Sequence, residues 1–280
     1  MSRPSAAKGP GAPRKSNGGI NDALTFHVNK WILLVLIAPF GCRRGSERTT
    51  AVAESPSDAS AQGPCPEEMA LVTHDHGRVC VDRYEAAIVG WRYSMALDDY
   101  DASALRAVPA KGMKPQVNIS ELQAEAACAA SSKRLCTEAE WTAACRGPSK
   151  LLYPYGDQYV PGACNEGRPR PAGVVFGMSG GRLDDPRLAE ADNGMEPGGA
   201  FPKCVSAFGI FDLHGNVHEW VSGSPKAERS RFGVFLGGFF ADAKENGQGC
   251  LYRTTAHVKE YHDYSTGFRC CKDALFSSRG

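Results

Sequence analysis

The sequence has no Cys-x-x-Cys pair among its eleven cysteines, no apolar run long enough to span a bilayer, and few long periodic segments. Its formal net charge is only +1. Each of these absences excludes something. Near-neutral charge removes the electrostatic case for a nucleic-acid partner. Without Cys-x-x-Cys pairs the usual thiolate zinc chelate has no frame, and the vicinal Cys270-Cys271 pair is a poor substitute. The scarcity of periodic segments, beside 31 Gly and 18 Pro, predicts a loop-rich fold shaped by tertiary contacts rather than long helices. A hydrophobic content of 42% still permits a substantial core.

The longest apolar run is Trp31–Gly41, 11 residues. A membrane-spanning helix takes roughly 20. The run suits the h-region of a signal peptide instead. Lys30 precedes it and Cys42 follows, in a setting that resembles a bacterial lipoprotein cleavage site, although Pro39 and Phe40 depart from that pattern. Cys42 is therefore the expected lipidation site, with ordinary export as the alternative. Residues 1–27 read as a disordered or mis-assigned extension, 28–42 as the signal peptide, and 43–64 as a disordered tether. The folded domain is expected over 65–275, with a short tail at 276–280. The chain is expected to be exported, either as a periplasmic or outer-surface lipoprotein or as a secreted protein.

Setting Cys42 aside leaves ten cysteines, at 65, 80, 128, 136, 145, 164, 204, 250, 270 and 271. An even number in an exported chain reads as disulfides. Spacing alone leaves the pairing open.

Two segments carry helix-start signals. Ser120-Glu-Leu-Gln123 has the form of a capping box opening a helix over 121–130, with Leu122, Ala126 and Ala129 on one face. Thr137-Glu-Ala-Glu140 is a second capping box, opening a short helix that Gly147 ends. Trp141 and Cys145, four residues apart, both point at the core from that helix. The stretch Gly209-Ile-Phe-Asp-Leu-His-Gly-Asn-Val-His-Glu-Trp220 is unusual in another way, because Asp212 and Glu219 bracket a Gly215-Asn216 turn among apolar neighbours. Buried acids need a cationic partner. Ca²⁺, which takes carboxylate and carbonyl oxygens together, is one reading, and a tight turn with two solvated acids is the other. His74-Asp75-His76 before Gly77 reads as a surface loop, and the Gly-Asn turn argues against a helical metal pair at His214 and His218.

Taken in order, Cys65–Met69, Cys80–Glu85, Lys133–Trp141, Cys145–Gly147, Tyr153–Asp157, Gly209–Trp220, Gly237-Gly238 and Gly267–Cys270 resemble the formylglycine-generating enzyme family. The sulfatase-modifying-factor domain is another name for it. The resemblance covers roughly residues 65–273. It implies a single loop-rich α+β domain, disulfide-stabilised and related to the C-type-lectin-like fold. It also implies a Ca²⁺ site at Gly209–Trp220, with the Asp212 and Glu219 side chains and the Gly215 and Val217 carbonyls as ligands. Asn165 alone carries over from a second calcium loop, because 167–200 diverge. Two disulfides follow from the family, Cys145–Cys250 and Cys128–Cys270. Proximity and parity then suggest Cys65–Cys80, Cys164–Cys204 and Cys136–Cys271.

The resemblance further implies an oxidase that converts a sulfatase cysteine to formylglycine with O₂ and copper(I), held by two cysteines five residues apart. Soft thiolates suit that ion. Here those two positions fall on Asp242 and Gly247, and Cys250 is the only cysteine between Gly238 and Cys270. Cys250 is thus the one weak catalytic candidate, and its partner is missing. The expectation is a calcium- and disulfide-stabilised domain that lacks the copper pair and binds a peptide, glycan or protein. An active copper oxidase is the alternative. Membrane contact is expected only through a lipid anchor. Arg253 and His257, near the family's substrate groove, are the first residues to mutate in a search for a binding site.

Overall fold

The computed structural model of the protein describes residues 63–97, 102–223 and 230–275. The expected extension, signal peptide and Cys42, the tether up to residue 62 and the tail at 276–280 lie outside the described residues. No helix among the described residues is long and apolar enough to cross a membrane.

Two strands open the domain, β1 (Met69–His74) and β2 (Gly77–Asp82), paired antiparallel from Met69 against Asp82 to His74 against Gly77. The hairpin tip is Asp75-His76, so His76 sits in the turn while His74 ends β1. A small ladder of β3 (Ala86–Ile88) and β4 (Ala107–Pro109) follows. Helix α1 (Glu121–Ala130) starts at a complete capping box between Ser120 and Gln123. Its buried face is Ala124, Ala127 and Cys128, whereas Leu122 is 45% exposed. The 122/126/129 face is therefore the outward one. The helix packs through small residues and a disulfide, and the large apolar side chain is not the anchor.

A short β5 (Arg134–Leu135) leads into α2 (Glu138–Arg146), opened by the Thr137–Glu140 capping box and closed at Gly147 with φ 63°. Trp141 and Cys145 are both fully buried on it. The divergent stretch that follows holds two short helices that each begin with proline, α3 (Pro171–Phe176) and α4 (Pro186–Ala189). The remaining strands are β6 (His218–Val221), β7 (Val234–Leu236), β8 (Arg253–Thr254), β9 (Thr266–Phe268) and β10 (Cys270–Asp273).

Two four-stranded sheets result, in the orders β1-β2-β10-β5 and β8-β7-β6-β9. In the second sheet β6 is central, antiparallel to β7 and parallel to β9, and every one of its residues is buried. Alternation along β6 divides its side chains between two faces. Trp220 joins Phe235 and Phe268 in one core cluster, while Val221 joins Trp141 and Leu236 in another. Five disulfides tie these layers: Cys65–Cys80, Cys128–Cys270, Cys136–Cys271, Cys145–Cys250 and Cys164–Cys204. They are the five pairs set out from the sequence. The loop-rich, disulfide-stabilised α+β architecture expected of this chain is the one found.

Candidate functional site

The Gly209–Trp220 segment turns back on itself before entering β6. Asp212, Gly215 and Asn216 all have left-handed φ, at 61°, 78° and 56°. At Gly215 the requirement for glycine is steric as well, since a Cβ there would lie 2.2 Å from the Asn165 carbonyl oxygen. That carbonyl accepts the Asn216 N–H at 2.9 Å. The two acids are both buried, so the solvated-acid reading is excluded.

Their cationic partner comes from the chain itself. Glu219 is 1% exposed and takes a two-pronged ion pair from Arg269, with Nε and Nη2 each 2.6 Å from its oxygens. Trp141 Nε1 adds a third bond at 2.8 Å. Arg269 spends its remaining donors on the carbonyls of Asp82 and Phe211. Asp212 accepts the Gly199 N–H at 2.7 Å, and the Val217 N–H donates to Glu85 at 3.3 Å. Asn165 is committed at both ends of its side chain, to the Gly194 carbonyl, Asn216 and Arg168.

A guanidinium thus neutralises Glu219, and the chain's own donors engage Asp212 and Asn165, so the side chains expected to hold Ca²⁺ already carry protein partners. Among the described residues no three His, Cys, Asp or Glu side chains gather in a metal-holding arrangement. Burial, then repulsion from Asp212 and Glu219, holds Glu85 well above the usual carboxylate range. Burial pushes Asp212 up to about 6.

The two expected copper positions are equally occupied by other chemistry. Asp242 accepts the backbone N–H groups of Lys244 and Glu245 and the Tyr252 hydroxyl. Burial opposes its charge, but these donors outweigh it and keep the carboxyl below its usual range. At Gly247 a Cβ would stand 2.5 Å from the Leu251 carbonyl oxygen, so no side chain fits. Cys250 is bonded to Cys145. All ten cysteines of the described residues are in disulfides, and no thiolate pair remains to hold Cu(I).

In the same place the structure assembles a polar chain that sequence reasoning missed. His218 Nε2 lies 3.2 Å from the Tyr252 hydroxyl, which reaches Asp242 at 3.2 Å. His218 Nδ1 lies 3.2 Å from Ser265 Oγ, which reaches Asp263 at 2.7 Å. Burial lowers His218 to about 3, so the imidazole is neutral at ordinary pH. A neutral ring has one proton to donate. Given to Tyr252, it leaves Nδ1 an acceptor, and the single Ser265 proton is shared between His218 and Asp263. Only the alternation of β6, which puts His218 beside Trp220, pointed at a buried histidine. Its partners lie 34 and 47 residues away in sequence.

Arg253 and His257 do different things. Arg253 is exposed and ion-paired to Glu138 of α2 at 2.6 Å. His257 is half-buried, stacked on Tyr261 at 3.9 Å and on Phe235 at 5.6 Å. His74 and His76 line a groove of about 640 Å³ against α2 with Glu138, Thr142 and Arg146.

Residues 70–274 match the sulfatase-modifying factor enzyme 1-like domain. A relative in Bos taurus named inactive C-alpha-formylglycine-generating enzyme 2 is 31% identical over 165 residues, 57% of this chain and 50% of that one. A Mus musculus relative named formylglycine-generating enzyme is 28% identical over 223 residues, 72% of this chain and 55% of that one. The chain thus spans about half the length of these curated relatives. Among solved structures, PvdO from Pseudomonas aeruginosa aligns at TM-score 0.44 and 19% identity, over 70% of this chain and 81% of that one.

Proposed function

This chain belongs to the sulfatase-modifying factor enzyme 1-like family, and we propose that it is a non-oxidising member acting as an exported binding domain. One observation carries the reading: the only cysteine near the copper positions, Cys250, is locked to Cys145, and Asp242 and Gly247 stand where thiolates would be needed. The name of the Bos taurus relative points the same way. Ten paired cysteines favour an oxidising compartment. That agrees with a signal peptide over 28–42 and anchoring through Cys42. The partner is a peptide, glycan or protein, and near-neutral charge disfavours nucleic acid.

The name of the Mus musculus relative favours a second reading, the copper-dependent conversion of a sulfatase cysteine to formylglycine. Incubating the full chain with a Cys-x-Pro-x-Arg peptide, Cu(I) and O₂ separates the two. The non-oxidising reading expects the peptide mass unchanged. Aldehyde formation above a protein-free control overturns it.

A further inference from the structure

The Gly209–Trp220 turn carries one histidine that none of the preceding chemistry uses. His214 has no exposed side-chain surface, and neither of its ring nitrogens has a hydrogen-bond partner. Glu166 faces it with a side chain only 3% exposed, and its Oε2 is also without a hydrogen bond. The separation of His214 Nε2 and Glu166 Oε2 is 3.5 Å. Protein hydrogen bonds between such groups run about 2.7–3.2 Å. Zinc bonds of roughly 2.0–2.2 Å at a tetrahedral angle instead place nitrogen and oxygen about 3.4 Å apart. We propose that His214 Nε2 and Glu166 Oε2 are two ligands of a site for a divalent transition-metal ion, zinc by preference.

The surroundings supply the rest of such a site. Tyr153, whose ring meets His214 edge-on at 5.3 Å, lines a cleft of about 380 Å³ together with Tyr159 and Lys244. The Tyr159 phenol sits beside Glu166, giving a third donor, and water from the cleft can complete four-coordination. Lys244 Nζ lies 3.6 Å from the same Glu166 oxygen and 3.9 Å above the Tyr159 ring centroid. Its side chain is 54% exposed, free to swing into solvent when an ion takes its place. The Cys164–Cys204 disulfide fixes the ligand backbone, with Cys164 two residues before Glu166 and the Cys204 sulfur 3.5 Å from the His214 carbonyl oxygen. Imidazole with carboxylate is a donor set for zinc rather than for Ca²⁺, which takes oxygen ligands. The site is thus distinct from the calcium expectation attached to the same turn.

The test is titration of the full chain with Zn²⁺ alone by calorimetry, and with Co²⁺ followed by visible absorption. The exposed His74–His76 pair could bind metal adventitiously, so the background is the His74→Ala, His76→Ala variant. One equivalent of Zn²⁺ is expected to bind in that background, with Co²⁺ bands characteristic of four-coordination. Glu166→Gln should weaken binding at least tenfold, whereas Lys244→Met, which removes the competing cation, should tighten it. Lys244 lines the cleft and Glu166→Gln is nearly isosteric, both changes spare the fully buried His214, and thermal melting checks that each variant is folded. Absence of Zn²⁺ binding, its loss in the His74→Ala, His76→Ala background, or indifference to both the Glu166 and Lys244 substitutions overturns the proposal.

Discussion

Arg269 sits with almost no exposed surface between four acceptors, the two Glu219 oxygens and the carbonyls of Asp82 and Phe211. The demand for a cation was legible in Asp212 and Glu219, two acids set in an apolar run. Which cation answers it was not, because Arg269 arrives 50 residues after Glu219 through the pairing of β6 with β9. Arg269→Met should leave Glu219 buried and unpaired and cost about 3–5 kcal/mol in urea denaturation. Added Ca²⁺ should not restore that loss. His218 was legible only as a neighbour of the Gly215-Asn216 turn, and its pH behaviour comes from the environment. Its folded pKa, about 3, lies below the unfolded value of about 6.5. The stability tied to its neutral form is therefore complete above about pH 6.5 and lost as pH falls toward 3, by roughly 1.4 kcal/mol per unit. Buried Asp212 and Asp82 act in the opposite sense, losing their contribution as pH rises through about 6. A His218→Gln variant isolates the histidine share. Its stability should fall less steeply than wild type between pH 6 and 4, and parallel slopes would refute the assignment.

Among the secondary elements, the helix starts were the most readable part of the chain. Both capping boxes are present because their chemistry is complete within four residues, Ser120 with Gln123 and Thr137 with Glu140. In the second, Glu140 also takes a two-pronged ion pair from Arg134. Thr137→Ala should lower stability by about 1 kcal/mol, measured by chemical denaturation. The buried face of α1 was less readable. Its neighbours select Ala124, Ala127 and Cys128, and the cross-link to Cys270 fixes the helix rotation that the pattern of Leu122, Ala126 and Ala129 left open. Between α2 and the segment before β8, Cys145–Cys250 joins residues 105 apart. Replacing both cysteines with alanine should cost about 2–5 kcal/mol. If both sulfurs are structural, it should leave the peptide oxidation readout where it was.

At the scale of the whole molecule, the metal dependence expected from the family resemblance becomes a discriminating measurement. The two carboxylates attributed to Ca²⁺ are held by Arg269 and Gly199. A calcium-selective chelator is therefore expected to leave thermal melting of the full chain unchanged, and a drop in melting temperature reversed by Ca²⁺ would sink that view. The overall architecture was legible because several separated motifs recur in order. The polar chain from Asp242 to Asp263 was not, because its five members come from four separate segments that only the folded sheet brings together. The adjacent cysteines of β10 bear on its register. Cys270 and Cys271 point to opposite faces, one reaching Cys128 under α1 and the other Cys136 beside Trp141. A one-residue slip of β10 between β2 and β5 would exchange their faces and aim each sulfur away from its partner. The two disulfides together therefore hold β10 to a single register. Chains carrying the exchanged pairs, Cys128 with Cys271 and Cys136 with Cys270, should behave as a trapped isomer, separable by chromatography from the correctly threaded form.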